Sequence, residues 1–252
     1  MAADKPLTLR RQKGRSTTRA RQSSESFQVD VLVDTGVFHL EQPFSYFLPE
    51  ELEAVIDAGS LIKVPFKNDL RNGVVLSIKE KSQASLKPVH SLLTQVRLSQ
   101  SFLEFTKKVS ERYIANQASI LSACLPSFTK VMNTSLDAST LHRSKSSKPA
   151  RKLFLLNRLE AVESRVVRHI KERKGLNLLV ILPTQREIEG VIKALGVIDQ
   201  QIIEIGSHLT SSQRRRNFEL AATATSIIVI GTRSAIMAPM AYIDEILIAE
   251  ES

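Results

Sequence analysis

Tryptophan is absent from this 252-residue chain, cysteine occurs once, and aromatic residues make up only 5% of it. The single thiol, Cys124, excludes an internal disulfide and a cysteine-based zinc cluster. The five histidines (His39, His90, His142, His169 and His208) are scattered without metal-ligand spacing, so no metal site is expected. No apolar run approaches the ~20 residues needed to span a bilayer. The N-terminus lacks the apolar segment of a signal peptide, which makes the cytoplasm the expected compartment.

Positive charge is what the chain has in excess, +9 overall, and it is concentrated. Residues 1–26 carry seven basic side chains (Lys5, Arg10, Arg11, Lys13, Arg15, Arg19 and Arg21) against Asp4 and Glu25. Residues 143–152 carry Arg143, Lys145, Lys148, Arg151 and Lys152 with no acid. Local positive density drives phosphate binding by counterion release, and two such segments suit a nucleic-acid backbone. The same runs also serve as a solubilising tail and linker, the plainer reading.

Composition divides the chain. Residues 1–26 hold too little apolar surface to offset chain entropy and read as a disordered basic arm. From Phe27, short apolar runs at Val29–Val33, Phe44–Leu48, Leu61–Phe66, Gly73–Ile78 and Val89–Leu93 predict a small β-rich domain. Helical spacing over 99–125 places Phe102, Leu103, Phe105, Val109, Tyr113 and Ile114 on one stripe. The domain is expected to close at Pro126, and 127–150 to form a basic polar linker. Beyond it, strands at Leu153–Leu156, Leu178–Leu182, Gln201–Ile205, Ser226–Ile230 and Glu245–Ala249 alternate with helices near 158–173, 184–195 and 210–222. Such alternation predicts a parallel sheet covered on both faces.

One stretch carries chemistry. A β-branched run ends in Gly231-Thr232-Arg233-Ser234, with Ala238-Pro239 following, which delivers a hydroxyl and a guanidinium at a strand end. With Asp244–Glu251 it closely resembles the helicase block of the primosomal replication-restart helicase family (PriA, primosomal protein N-prime). In the first half, Gln42–Pro49, Ala58–Phe66 and Asn72–Val75 resemble three further family blocks in order. The resemblance covers roughly 28–126 and 151–252. It implies an α/β chain: a β-rich, OB-like barrel that is the family's 3′ DNA-binding domain, then a single incomplete RecA-like parallel-sheet lobe over 151–252.

The resemblance also implies site residues. Phe44 stands at the family's pocket aromatic and Lys87 at its pocket lysine. Ser45 replaces an aspartate, and Lys67 replaces a glycine, changes expected to weaken 3′-end selectivity more than DNA affinity. The plainer alternative makes Phe44 and Tyr46 core residues of a barrel strand. In the second half, Thr184, Arg214, Thr232, Arg233 and Ser234 correspond to backbone-contacting positions. Arg215 and Arg216 are candidate additional phosphate contacts, although three consecutive arginines cannot share one helix face.

The nucleotide site departs from the family. Where Gly-x-x-Gly-x-Gly-Lys-Thr is expected, Asn157–Arg165 holds no glycine and no lysine, and it places Glu160 and Glu163 beside Ser164 and Arg165. Ala249 replaces the magnesium-holding aspartate, leaving Glu250. The family's ATP and zinc are therefore not expected as cofactors. The resulting expectation is a truncated relative that binds forked or 3′-ended DNA, and with it primosome proteins and single-strand-binding protein, without hydrolysing ATP. Two rivals remain: an ATP-dependent helicase fragment completed by another chain or cut short by a frameshift, and a primosome adaptor that has abandoned DNA.

Overall fold

Valines at 29, 31 and 33 alternate with Gln28, Asp30 and Leu32, and this period of two sends all three valines to one face of β1 (Phe27–Val33), where they are almost wholly buried. The computed structural model describes residues 27–37, 42–80, 86–128, 150–154 and 161–249. The expected arm, nearly all of the expected linker, Glu160 and Glu250 lie outside the described residues.

Around β1 stand β2 (Phe44–Phe47), the one-turn α1 (Glu50–Glu53), β3 (Ser60–Phe66), β4 (Asp69–Glu80) and β5 (Ser91–Arg97). The strands form one antiparallel sheet in the order β2-β1-β4-β3-β5. Backbone bonds also tie β2 to the segment leading into β5: the Phe47 N–H donates to the Lys87 carbonyl, and the Val89 N–H donates to the Phe47 carbonyl, each at 2.9 Å. The inner face buries Val29, Val31, Tyr46, Ile62, Val64 and Val75. On the other face, Leu32, Leu61, Val74, Leu93 and Val96 pack under α2 (Gln100–Tyr113) and α3 (Gln117–Cys124) through Phe102, Leu103 and Leu121.

Ser99 and Asn116 cap these two helices, their side chains accepting backbone N–H groups of the first turn. Ile114 takes a left-handed conformation (φ 50°) and ends α2. The expected stripe therefore stops short: Tyr113 and Ile114 are 75% and 81% exposed, because the helix ends before they can turn inward. β4 begins four residues earlier than expected, since pairing with β3 holds the polar run Asp69–Asn72 in a hairpin despite its turn-like composition. Phe128, placed in the expected linker, is buried in the cluster beneath α2 and α3.

The second unit comprises α4 (Val162–Glu172), β6 (Leu178–Ile181), α5 (Gln185–Leu195), β7 (Gln201–Ile205), α6 (Ser211–Thr223), β8 (Ile227–Gly231), a 3-10 turn (Arg233–Met237) and β9 (Glu245–Ile248). The sheet is wholly parallel in the order β7-β8-β6-β9. Along β6, Leu178 and Val180 face α4 and α5, whereas Leu179 and Ile181 face α6 and the 3-10 turn. Both faces are thus covered, as unbroken β-branched strands require. Four strands stand among the described residues where five were expected. Leu153 and Phe154, from the expected first strand, are exposed coil, and Leu155 and Leu156 lie outside the described residues.

Asn177 pins the amino ends of three strands together. Its side-chain oxygen accepts the Ile227 N–H at 3.1 Å, and its side-chain amide donates to the Tyr242 carbonyl at 3.2 Å. Its own N–H donates to the Asp244 carboxylate at 2.9 Å. No helix among the described residues is long and apolar enough to cross a membrane, and no described group of three His, Cys, Asp or Glu side chains could hold a metal ion.

Candidate nucleic-acid interface

In the antiparallel unit the candidate residues fall into two groups, because neighbouring residues of a strand face opposite ways. Phe44 opens β2 on the inner face, half-buried, with its ring edge-to-face against Phe66 at 5.2 Å. Phe66 begins the β3–β4 turn, and the Lys67 ammonium lies 5.9 Å from its ring centroid. Lys67 holds φ at 54°, the left-handed region that glycine occupies without cost. Phe44, Phe66 and Lys67 therefore form an aromatic and cationic rim at the tip of the hairpin.

Ser45 stands on the opposite face, directly across from Asp30. Its hydroxyl donates to Asp30 Oδ1 at 2.8 Å and accepts from the Gln28 amide at 3.0 Å. Ser77 also donates to Asp30, and Lys79 forms an ion pair with it. Burial pushes the Asp30 carboxyl upward, but the Lys79, Ser45 and Gln28 hydrogen bonds outweigh it and hold the group below its ordinary value. Lys87 is exposed and contributes its carbonyl to the bond with Phe47. Sequence reasoning missed Asp30, Lys79 and Phe66 as site members. The alternation of β1 would have pointed to Asp30, a lone carboxylate in a valine-rich strand.

In the parallel unit every strand runs the same way, so the carboxyl ends of β6, β7 and β8 share one edge. There the structure brings together Thr184, the loop Thr232–Ser234 and the start of α6. Thr184 caps α5, and its hydroxyl donates to Glu187 at 2.8 Å, a bond that occupies its only proton. Arg233 and Ser234 are exposed and Thr232 half-buried, just past Gly231. A Cβ on Gly231 would sit 2.3 Å from the Ile205 carbonyl oxygen, so only glycine lets the loop leave the sheet this close to β7. Arg214 and Arg216 are exposed on α6. Arg215 is only 8% exposed and pairs with Glu219 at 3.3 Å, so it is not the surface phosphate contact expected of it.

Glu163, Ser164 and Arg165 lie in the first turn of α4. The Glu163 side chain approaches α5 at Gly190, and the Arg165 guanidinium stacks over Phe154 at 4.6 Å. Elsewhere on α4, buried His169 meets Glu245 at 2.7 Å, and Arg173 donates to the same carboxylate at 2.9 Å.

An antiparallel sheet with an aromatic and lysine rim, beside a parallel sheet offering hydroxyls and arginines at one edge, has the composition of a protein that holds nucleic-acid strands. Residues 30–126 match the family described as the PriA 3'DNA-binding domain (3'BD). Over 106 residues, 40% of this chain, the sequence is 29% identical to the replication restart protein PriA of Bacillus subtilis (strain 168). The first unit is thus a PriA-like 3′ DNA-binding domain. The match spans 13% of that relative's length.

Proposed function

We propose that this protein is a DNA-binding replication-restart factor related to PriA, which takes up 3′-ended or forked DNA without hydrolysing ATP. The observation that carries the reading is the Phe44–Phe66–Lys67 rim within the domain that matches the 3′ DNA-binding family. The open face of a half-buried ring at this rim stacks on a terminal base, and the adjacent ammonium attracts its phosphate. In this reading the first unit, residues 27–126, is an OB-like barrel, supported by the Phe47 bonds to 87–89. The second, 151–252, is a RecA-like lobe whose carboxyl edge grips the strand through Arg214 and Thr232–Ser234. Primosome proteins and single-strand-binding protein are the proposed partners, and the cytoplasm the proposed location.

The absence of hydrolysis rests on the start of α4. A helix that receives a nucleotide phosphate is favoured by an N-terminal turn free of acids, whereas the first turn of α4 carries the Glu163 carboxylate. The residues present do not fit ATP. A purified sample should show no DNA-stimulated phosphate release, and release abolished by loss of Glu250 would sink this part of the reading.

The central test compares labelled forks with a free and a blocked leading-strand 3′ end. Phe44→Ala should reduce preference for the free end by ~1–3 kcal/mol, the value of a stacked base, and spare the blocked fork. Arg233→Ala should weaken both forks alike. Equal losses from the two substitutions on every substrate would reassign Phe44 to the core.

A further inference from the structure

The two units do not meet as wet surfaces. Phe218 of α6 is 3% exposed and belongs to the same cluster as Leu32, Leu61, Leu93 and Phe102 of the 3′-end unit. Its ring meets Phe128 edge-to-face at 6.0 Å, and the Arg215 guanidinium of the same helix lies over the Phe128 ring, 5.2 Å from its centroid. Glu219 ties the seam at its polar margin, accepting from Arg215 Nε and from the Thr94 hydroxyl of β5, each at 3.3 Å. Ordinary interfaces between domains are polar and permit relative motion. This one is a shared core, with the Arg215–Glu219 pair of α6 buried beside it and Thr94 bonded across to Glu219.

The same helix carries the exposed cations. Arg214 and Arg216 flank Arg215, and successive helical residues point about 100° apart, so one turn of α6 turns inward to the 3′-end unit and outward to solvent at once. The helix is anchored at its start by the Thr210–Gln213 capping box, just beyond the carboxyl end of β7.

We infer that α6 is a strut fixing the 3′-end unit relative to the carboxyl edge of the parallel sheet, with Arg215 and Phe218 as positioning residues, so that one DNA strand is held by both units together. The inference rests on the proposed function, in which both units touch DNA. A fixed geometry makes the second contact intramolecular, which raises affinity for a strand long enough to reach both sites and does nothing for a short one.

The test uses the full chain and two labelled 3′-ended oligothymidylates, one of about 4 nucleotides and one of about 30. The wild type should favour the long probe by on the order of 100-fold. Arg215→Met, which keeps a buried stem and removes the cation, and the milder pair Thr94→Val with Glu219→Gln, should each retain short-probe affinity. On the long probe each should lose on the order of 10-fold, and the radius of gyration in X-ray scattering should rise. Arg214→Ala with Arg216→Ala should lose long-probe affinity with no change in that radius. Variants that bind the long probe as the wild type does while their radius rises, or that lose both probes equally, overturn the strut. Should Arg215→Met fail to fold, the Thr94 and Glu219 pair decides by the same criteria. A wild type that binds neither probe fails the proposed function itself, whereas one that binds both without a long-probe advantage fails only the strut.

Discussion

At the scale of single residues, Lys67 is held where its backbone is least comfortable. A left-handed lysine is strained relative to glycine at the same φ. Lys67→Gly should leave stability unchanged or raise it by up to about 1 kcal/mol and at the same time weaken DNA binding. Lys67→Ala should weaken binding equally without the gain in stability. Chemical denaturation beside a DNA titration checks both, and a glycine variant that binds as the wild type does would remove Lys67 from the site. Asp30 and Glu245 make a second expectation. Burial raises each carboxyl, but hydrogen bonds from Lys79, Ser45 and Gln28 in the first case, and from Arg173 and His169 in the second, bring it below its ordinary value of 3.8 or 4.5. A carboxyl lowered in the folded state stabilises fully above the unfolded value and loses that stabilisation as pH falls through the folded one. Stability should therefore decline below about pH 4.5, and Asp30→Asn should be less stable at neutral pH while showing a shallower acid decline. A decline as steep as that of the wild type would place the titrating group elsewhere.

At the scale of elements, what was legible followed periodicity. The buried runs of β6 and β8 were read to within one residue, because a strand covered on both faces is apolar without interruption and bounded by polar turns, and the half-exposed edge strand β7 was read to the residue. What was not legible depended on partners distant in sequence. Nothing in Asp69-Leu70-Arg71-Asn72 announces a strand; β3 supplies the hydrogen bonds. Ser45 was taken with Phe44 as one pocket, whereas the pleat separates them and gives Ser45 to Asp30. Nor does Arg214-Arg215-Arg216 reveal which arginine turns inward, since that is decided by Phe128 and Glu219. Asn177 shows the same dependence at a strand entrance. Its side chain satisfies a buried N–H of β8 and a carbonyl ahead of β9, so Asn177→Ala should cost about 1–3 kcal/mol for each buried group left unpaired. A thermal shift within error of the wild type would mean that other groups take over these bonds.

At the scale of the whole molecule, the order β7-β8-β6-β9 has a consequence in time as well as in space. In the 3′-end unit two of the four strand pairings, β1–β2 and β3–β4, join strands consecutive in the chain, and β3 meets β4 across a two-residue turn. The parallel unit has no such shortcut. Asn177 is bonded to partners 50 and 67 residues further on, and β6 lies between strands that both follow it in the chain. Distant pairings carry a loop-closure cost before they return any stabilisation. As the chain leaves the ribosome, the 3′-end unit can close while β6 still waits for β8 and β9. Phe218, which completes the core of the first unit, arrives from the slower second one. Docking of α6 onto the first sheet is therefore the expected last step of folding, and pulsed hydrogen exchange should protect the β3–β4 amides before those of α6; simultaneous protection would overturn that order.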